Sequence, residues 1–439
     1  MEPSADTPYS LDQALWLRTA TRQVRKDNQL HLLKKHLQQA ARIPFYKEMF
    51  TRTGGSGNVI TDPAMLSNLP FTTRADIDFH PELFGLQDEK AIRDIALTSG
   101  TTGEPVIVSY TAADLHRLAF NESVAFYSAG VRRGDRVLLT VTLDRCFVAG
   151  LAYYSGVTLL GATAIRSGPG QPARQWQIIK KLQPKVIVGV PSFLLELGQW
   201  GQENSINVGK SSVATIITIG EPARKPDFRL TEIGLQLEEL WGAKIFSSYG
   251  ATEFETAFGE CSASSGGHVH PELMLVEVID DEGNILPDGE PGEVVVTPLG
   301  VEGFPLIRFR TGDIARLNSS PCSCGWQTKR LGPIEGRLAQ RLKFRGTTLY
   351  PETIFHALQN LLEVKAAYVE VRRAADGTDD VTVVAGCDGQ YPNQDKIEER
   401  LQAHLRVRPR LVIKKSAEVH AVMVGDDGRK PRKYFDFRV

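Results

Sequence analysis

From Ile92 onward, short apolar runs rich in β-branched residues alternate with longer stretches of helical period. The runs are RVLLTVT, GATAI, KVIVGV, ATIITIG and AKIFSSYG, and segments between them, such as LTEIGLQLEELW, have the period and length of helices. This alternation predicts a parallel sheet covered by helices, with ligands gathering at the carboxyl ends of its strands. Ahead of it, residues from about 10 to 50 space their apolar positions by three and four and predict helix. Near Pro271 the character changes: LMLVEVID, GNILPDGEPGEVVVT and PLIRFRTGDIARL read as strands joined by Asp-Gly and Pro-Gly turns. After Gly336 come basic-apolar runs, a helix from Pro351 to about Leu362, the strands AAYVEVRR and DVTVVAGC, a helix near Lys396 to Leu405, and LVIKK. The expected fold is therefore α/β. A large N-terminal domain (residues 1–335) carries helix-covered parallel sheets and a β-rich subdomain, and a small α+β C-terminal domain (336–439) follows on a hinge at Gly336.

Composition narrows the class of function. Lys and Arg total 51 against 52 Asp and Glu in 439 residues, which gives no broad field for nucleic acid or an anionic membrane. Any polyanion must be gripped locally. No run approaches the length of a membrane span and the first residues lack a signal-peptide pattern, so a cytoplasmic enzyme without a membrane partner is expected. Five cysteines in a long chain argue against a disulfide framework and for metal binding or burial. Cys146 and Cys387 lie in apolar runs and are expected to be buried.

Candidate chemistry sits in a few polar segments. In Leu97-Thr98-Ser99-Gly100-Thr101-Thr102-Gly103-Glu104-Pro105, small hydroxyl residues and glycines let backbone N–H groups turn toward one anion, which suits a triphosphate. It is not a Walker A motif, which needs a Gly-Lys-Ser/Thr ending. Ser247-Ser248-Tyr249-Gly250-Ala251-Thr252-Glu253 follows the apolar run AKIF and offers Mg²⁺ a hard carboxylate. In Phe309-Arg310-Thr311-Gly312-Asp313 the carboxylate suits a diol, since it has two acceptor oxygens and no donor. Cys322-Ser323-Cys324-Gly325, with Cys261 and either His268 or His270, makes a Cys₃His set of the kind that closes a structural Zn²⁺ site.

These motifs, in this order, resemble the adenylate-forming superfamily of acyl-CoA ligases and adenylation domains, and within it the phenylacetate–CoA ligase family, over nearly the whole chain. The resemblance implies an ATP- and Mg²⁺-dependent aryl carboxylate–CoA ligase, forming an acyl-adenylate and then a thioester of coenzyme A. It assigns nucleotide binding to Thr98, Ser99, Gly100, Thr101, Thr102, Gly103, Gly220, Glu221, Pro222, Ser248, Tyr249, Gly250, Ala251, Thr252, Asp313 and Arg337. Thr252 would bond the α-phosphate, Glu253 would hold Mg²⁺, and Lys430 would be the C-terminal catalytic cation, with Arg429 as the alternative register. Anchoring on Asp436 and Arg438 selects Lys430, and a compact ammonium on a flexible stem suits a swinging contact.

The acyl pocket would be walled by Thr142, Phe147, Tyr153, Gly220, Tyr249 and Gly250, with Thr142 opening it and Tyr153 shortening it toward a benzoate-type acid such as anthranilate or salicylate. Family alignment favours His268 over His270 as zinc ligand beside Cys261, Cys322 and Cys324. Gly346 to Pro351 matches the loop used in the thioester step. The chain departs from the family at Glu104, where Lys is usual, and at Ala339 of the hinge, where an acid is usual. Two other outcomes stay open: transfer of the acyl group to a carrier-protein phosphopantetheine, or binding of nucleotide or acyl ligands without turnover. The family often forms homodimers.

Overall fold

The computed structural model describes residues 9–53, 60–86, 88–98, 105–344, 347–358, 361, 363–374, 379–388, 394–424 and 431–438. The chain divides into two compact units: Met1–Thr311 with Ala315–Pro333, and Gly312–Ile314 with Ile334–Val439.

In the first unit the N-terminal helical stretch is three helices, Leu11–Thr19, Arg22–Ala40 and Pro44–Thr53. Hydroxyl caps explain the first division. Ser10 and Thr21 are extended, and each accepts a backbone N–H of the turn that follows it. A six-stranded sheet then runs in the order Thr163–Arg166, Arg136–Leu139, Val186–Gly189, Thr215–Thr218, Lys244–Ala251, Thr256–Gly259, parallel except at the last strand.

Alternation sets its two cores. Val137, Leu139, Val188, Ile217 and Phe246 pack with Phe126, Tyr153 and Val157. Leu138, Ile187, Ile216 and Ile245 face the other way, onto Trp176, Leu194, Leu237 and Trp241. Both faces are therefore covered, as a parallel sheet requires. Beyond it, Met274–Ile279, Pro291–Pro298, Phe309–Asn318, Arg330–Leu331 and Gly267–His268 form the β-rich part, with antiparallel pairing.

Helix Ala112–Ser128 positions the candidate site. A capping box of Thr111 and Asp114 starts it, and Asp114 also accepts the backbone N–H groups of Glu302 and Gly303 at 2.8 and 2.9 Å. Arg117 is fully buried and donates to the carbonyls of Leu299, Glu255 and Leu273 and to the Thr256 hydroxyl. Asn121 exchanges two hydrogen bonds with the backbone of Ala257, at 2.8 and 3.1 Å. These contacts lock the helix to the antiparallel edge strand.

The second unit is a four-stranded sheet in the order Arg410–Lys415, Asp379–Cys387, Val364–Arg373, Tyr434–Phe437. Helices Pro351–Leu358 and Gln394–Leu405 contribute Ile354, Leu358, Ile397 and Leu401 to one core, and Ser416–Val424 contributes Val419 and Met423 to another. Among the described residues no helix is long and apolar enough to cross a membrane.

Candidate functional site

Neighbouring strands of the parallel sheet end in two of the singled-out motifs. Thr218 pairs with Ser247, so Gly220-Glu221-Pro222 and Ser248 to Glu253 leave adjacent carboxyl ends. Gly220 turns the chain at φ +77°, and the Glu221 carboxylate accepts the Ser192 backbone N–H at 3.0 Å and its hydroxyl at 2.9 Å. Tyr249 stands opposite Phe258 and stacks with it, 6.0 Å between centroids and 14° between planes. Gly250 has a steric reason: a Cβ there would lie 2.9 Å from the Thr256 carbonyl oxygen.

Thr252 and Glu253 are half-buried just beyond the strand. The Thr252 carbonyl accepts the Tyr110 hydroxyl at 3.5 Å, and Arg74 holds the Glu253 carboxylate at 3.2 Å while also bonding Asp78. Arg74 lies 179 positions away in the chain, and nothing local in its sequence marks it. Glu253 is thus an accessible hard-oxygen donor held in place, which fits a magnesium ligand. Glu255 is buried with neither carboxylate oxygen partnered among the described residues, and burial, then Asp114, push its carboxyl well above the usual range.

Beside this segment a small cavity is lined by Glu122, Phe126, Tyr153, Phe246, Ser248 and Glu260 among others. Its room for a water-sized sphere is about 10 Å³, roughly the minimum one water needs. Two glycines bring its walls together. A Cβ on Gly156 would meet the Glu122 Cβ at 2.3 Å, and one on Gly259 would meet the Ala125 Cβ at 2.9 Å. Tyr153 faces Ser248 across the cavity, and Glu260 pairs with Arg224 at 2.7 Å and accepts the Ser247 N–H at 2.9 Å.

Glu122 is 4% exposed and has no hydrogen bond or ion pair among the described residues. Burial pushes its carboxyl up to about 8. Because the folded value exceeds the unfolded one, the stability it confers is complete below about pH 4.5 and is lost as pH rises to about 8. The full swing is of the order of 4–5 kcal/mol. Glu122→Gln should match the wild type in urea unfolding at pH 5 and exceed it in midpoint at pH 8.5. Parallel midpoints across that range would refute the assigned burial cost.

Thr142 is not among the residues that line this cavity. It lines an open cleft of about 440 Å³ with Asp144, Arg145, Arg166 and Gly168, and Phe147 is the half-buried cap residue of helix Val148–Leu159. Cys146 is exposed, contrary to its expected burial, because Arg145 and Cys146 adopt φ +61° and +54° and turn the chain outward before that helix begins. Cys387 is buried as expected.

Cys261, His268, Cys322 and Cys324 lie together, with one ligand atom from each within 4.8 Å of all the others. The Cys261 and Cys322 sulfurs are 3.6 Å apart, and the Cys324 sulfur is 3.4 Å from His268 Nε2. Zn–S bonds of ~2.3 Å and Zn–N bonds of ~2.05 Å give tetrahedral edges of ~3.8 and ~3.6 Å, whereas a disulfide would need ~2.05 Å. The other ring nitrogen, Nδ1, bonds the Thr328 hydroxyl at 2.8 Å. Burial, then Arg18 and Arg330, hold His268 near pKa 3, so it is neutral as a ligand must be. His270 stands apart: Arg18 donates to its Nδ1.

In the second unit Asp313 faces Arg337 across a two-strand ladder, and their side chains pair at 3.2 Å. Burial raises the nearby Glu352 carboxyl. Arg438 ties the end of the chain down through Asp436 and Asp379. Of the phosphate-loop motif's nucleotide set only Thr98 is described. Its N–H and Oγ bond Val106 at 3.1 and 2.9 Å, closing the neck of the loop. Ser99, Gly100, Thr101, Thr102, Gly103, Glu104, Gly346, Arg429 and Lys430 lie outside the described residues.

A family model described as AMP-binding enzyme matches residues 47–301. The phenylacetate-coenzyme A ligase of Thermus thermophilus is 32% identical over 339 residues, 76% of this chain and 74% of the relative. That of Pseudomonas putida is 29% identical over 82% of each. A crystal structure of 2-hydroxyisobutyryl-CoA ligase, in the postadenylation state with an acyl-AMP, superposes with a TM-score of 0.84 at 21% identity, covering 99% of this chain and 94% of that one.

Proposed function

Because this chain belongs to the adenylate-forming AMP-binding enzymes, in their phenylacetate–CoA ligase-like family, and is an ATP-dependent acid–CoA ligase, we propose that the acid it activates is an aryl carboxylic acid. The observation that carries this reading is the placement of Gly220–Pro222 and Ser248–Glu253 on adjacent strand ends, beside a cavity walled by Phe126, Tyr153 and Phe246. A flat ring at those strand ends would turn one edge toward these aromatic walls, while the cavity itself has room for about one water.

In the first half-reaction a substrate carboxylate oxygen attacks the α-phosphorus and the bond to pyrophosphate breaks. In the second the thiol sulfur of coenzyme A attacks the acyl carbon, its proton leaves, and AMP departs with the C–O electron pair. Tyr249, held flat on Phe258, packs the adenine; the Thr252 hydroxyl donates to the α-phosphate; Asp313 accepts the ribose hydroxyls beside Arg337. Glu253 would hold Mg²⁺, which when bound offsets negative charge on the phosphates. Cys261, His268, Cys322 and Cys324 would hold a structural Zn²⁺ that pins two loops of the first unit, and the tetrahedral spacing of their donor atoms supports this. A cytoplasmic homodimer is the expected form.

Isotope exchange between pyrophosphate and ATP tests the reading. Exchange should depend on an added aryl acid and on Mg²⁺, and the stalled adenylate should transfer to coenzyme A. Exchange supported only by short alkyl acids would overturn the aryl assignment, and transfer to a carrier-protein thiol in preference to coenzyme A would reassign the acceptor. Asp313→Ala should raise the KM for ATP by about tenfold or more, the loss expected for hydrogen bonds to a charged group. An unchanged KM would remove Asp313 from the nucleotide site.

A further inference from the structure

Two carboxyls line the cavity beside Ser248, and only one has a partner. Glu260 is held by Arg224 and by the Ser247 N–H. Glu122 has none among the described residues, although it is 4% exposed. An unpartnered buried carboxyl is costly, and an apolar residue of similar size would be more stable, so its presence asks for a partner that the chain does not supply.

The side chain is also held where it is. Gly156 leaves room only for the Glu122 Cβ, and the neighbouring Asn121 is latched to Ala257 on both its amide atoms. The space beside it suits one small polar substituent and not a second ring. Among the described residues the lining includes no lysine, arginine or histidine, so a second carboxylate or a phosphate on the substrate has no counter-charge from them.

We propose that Glu122 is a specificity-determining residue: its carboxyl hydrogen-bonds a neutral hydroxyl or amino substituent on the acid being activated, and the site discriminates against the parent acid that lacks it. This inference rests on the acid–CoA ligase reading and narrows its substrate class. A neutral carboxyl both donates and accepts, which matches a hydroxyl fully and an amine through its N–H. A site with a buried hydrogen-bonding group rejects the analogue lacking the partner more strongly than an apolar pocket rejects a missing methylene, because the group is then left unpaired.

Pyrophosphate–ATP exchange with the full-length protein tests this. The acids are benzoate and phenylacetate, their ortho, meta and para hydroxy and amino derivatives, phthalate, and a hydroxyalkanoate beside its alkanoate. The best hydroxy or amino acid should exceed its parent about a hundredfold in kcat/KM, and phthalate should be inert. Glu122→Ala should cut that ratio at least tenfold, mainly through KM, while Glu122→Gln, which keeps the shape and a hydrogen-bonding end, should retain most of it. Rescue by glutamine separates recognition from a packing role, and binding of the best acid measured by calorimetry on both variants gives a readout apart from turnover.

Equal rates for parent and substituted acids, or a ratio unchanged in Glu122→Ala, would overturn the inference and leave the ligase reading standing. Exchange with no acid of the panel would overturn both. A preference confined to the hydroxyalkanoate would support the role of Glu122 and move the substrate out of the aryl class.

Discussion

Replacing Lys430 by alanine should lower the rate of adenylation by about a hundredfold to a thousandfold, the range expected when one preorganised electrostatic contact to a developing negative charge is removed. The chemistry sets the sign. As the carboxylate attacks, charge builds on the α-phosphate and on the departing pyrophosphate, and a cation that meets it only in the transition state changes kcat and not ground-state ATP affinity. Lys430 precedes a well-anchored end: strand Tyr434–Phe437 pairs in parallel with Val364–Arg373, and Arg438 forks onto Asp436, which it holds near pKa 2.

The measurement splits the two half-reactions. Lys430→Ala should fail in exchange but convert supplied acyl-AMP and coenzyme A to thioester at close to the wild-type rate. Arg429→Ala should stay within about fivefold in both, if Lys430 is the cation that meets the developing charge. The reverse pattern would place the cation at Arg429. Two unaffected variants would remove the C-terminal segment from the first half-reaction.

The parts of the molecule that can be read from sequence share a physical cause: they repeat. RVLLTVT, KVIVGV and ATIITIG show continuous apolar character because their strands are covered on both faces, and each became a parallel strand. Ends governed by single hydroxyls were harder, as at Thr21, where a capping oxygen divides what reads as continuous helix. Tyr434–Phe437 is too short for its alternation to stand out, and its role as a strand comes from pairing with Val364–Arg373.

The motif residues of the candidate site were legible because a glycine or a carboxylate in a polar strand end has few other uses. Their partners were not. Glu122 and Arg117 occupy a helix in which no local motif marks them, yet the helix is enclosed on nearly all sides and both side chains are buried. Arg74 reaches Glu253, and Arg224 reaches Glu260, only through the tertiary fold. Cys146 shows the opposite case. Its apolar neighbours predict burial, and two residues with positive φ turn it into solvent.

Removing the metal from the Cys261, His268, Cys322 and Cys324 cluster should lower the thermal midpoint by roughly 5–10 °C. Binding to the folded state alone, at a thousand times its dissociation constant, contributes about 4 kcal/mol. At about 2 °C per kcal/mol for a unit of this size, that gives a shift of about 8 °C. The ligands come from two segments, one near Cys261 and His268 and one at Cys322 and Cys324, which the ladder of Gly267–His268 with Arg330–Leu331 already pairs, so a bound metal would add a second tie between them.

The purified protein should carry about one zinc per chain by elemental analysis. Cys322→Ser and Cys324→Ser should each lose it together with the stability, and adding zinc back to chelated wild type should restore the midpoint. Thr328→Val removes the hydroxyl bonded to His268 Nδ1 and should weaken metal affinity by about ten- to a hundredfold while leaving all four ligands in place. Adenylation should fall far less than stability in every one of these variants, as expected of a metal that would hold loops and take no part in the chemistry. A zinc-free protein with an unshifted midpoint would make the four residues a thiol-rich packing cluster, and a loss of exchange at full stability would bring the metal into the chemistry.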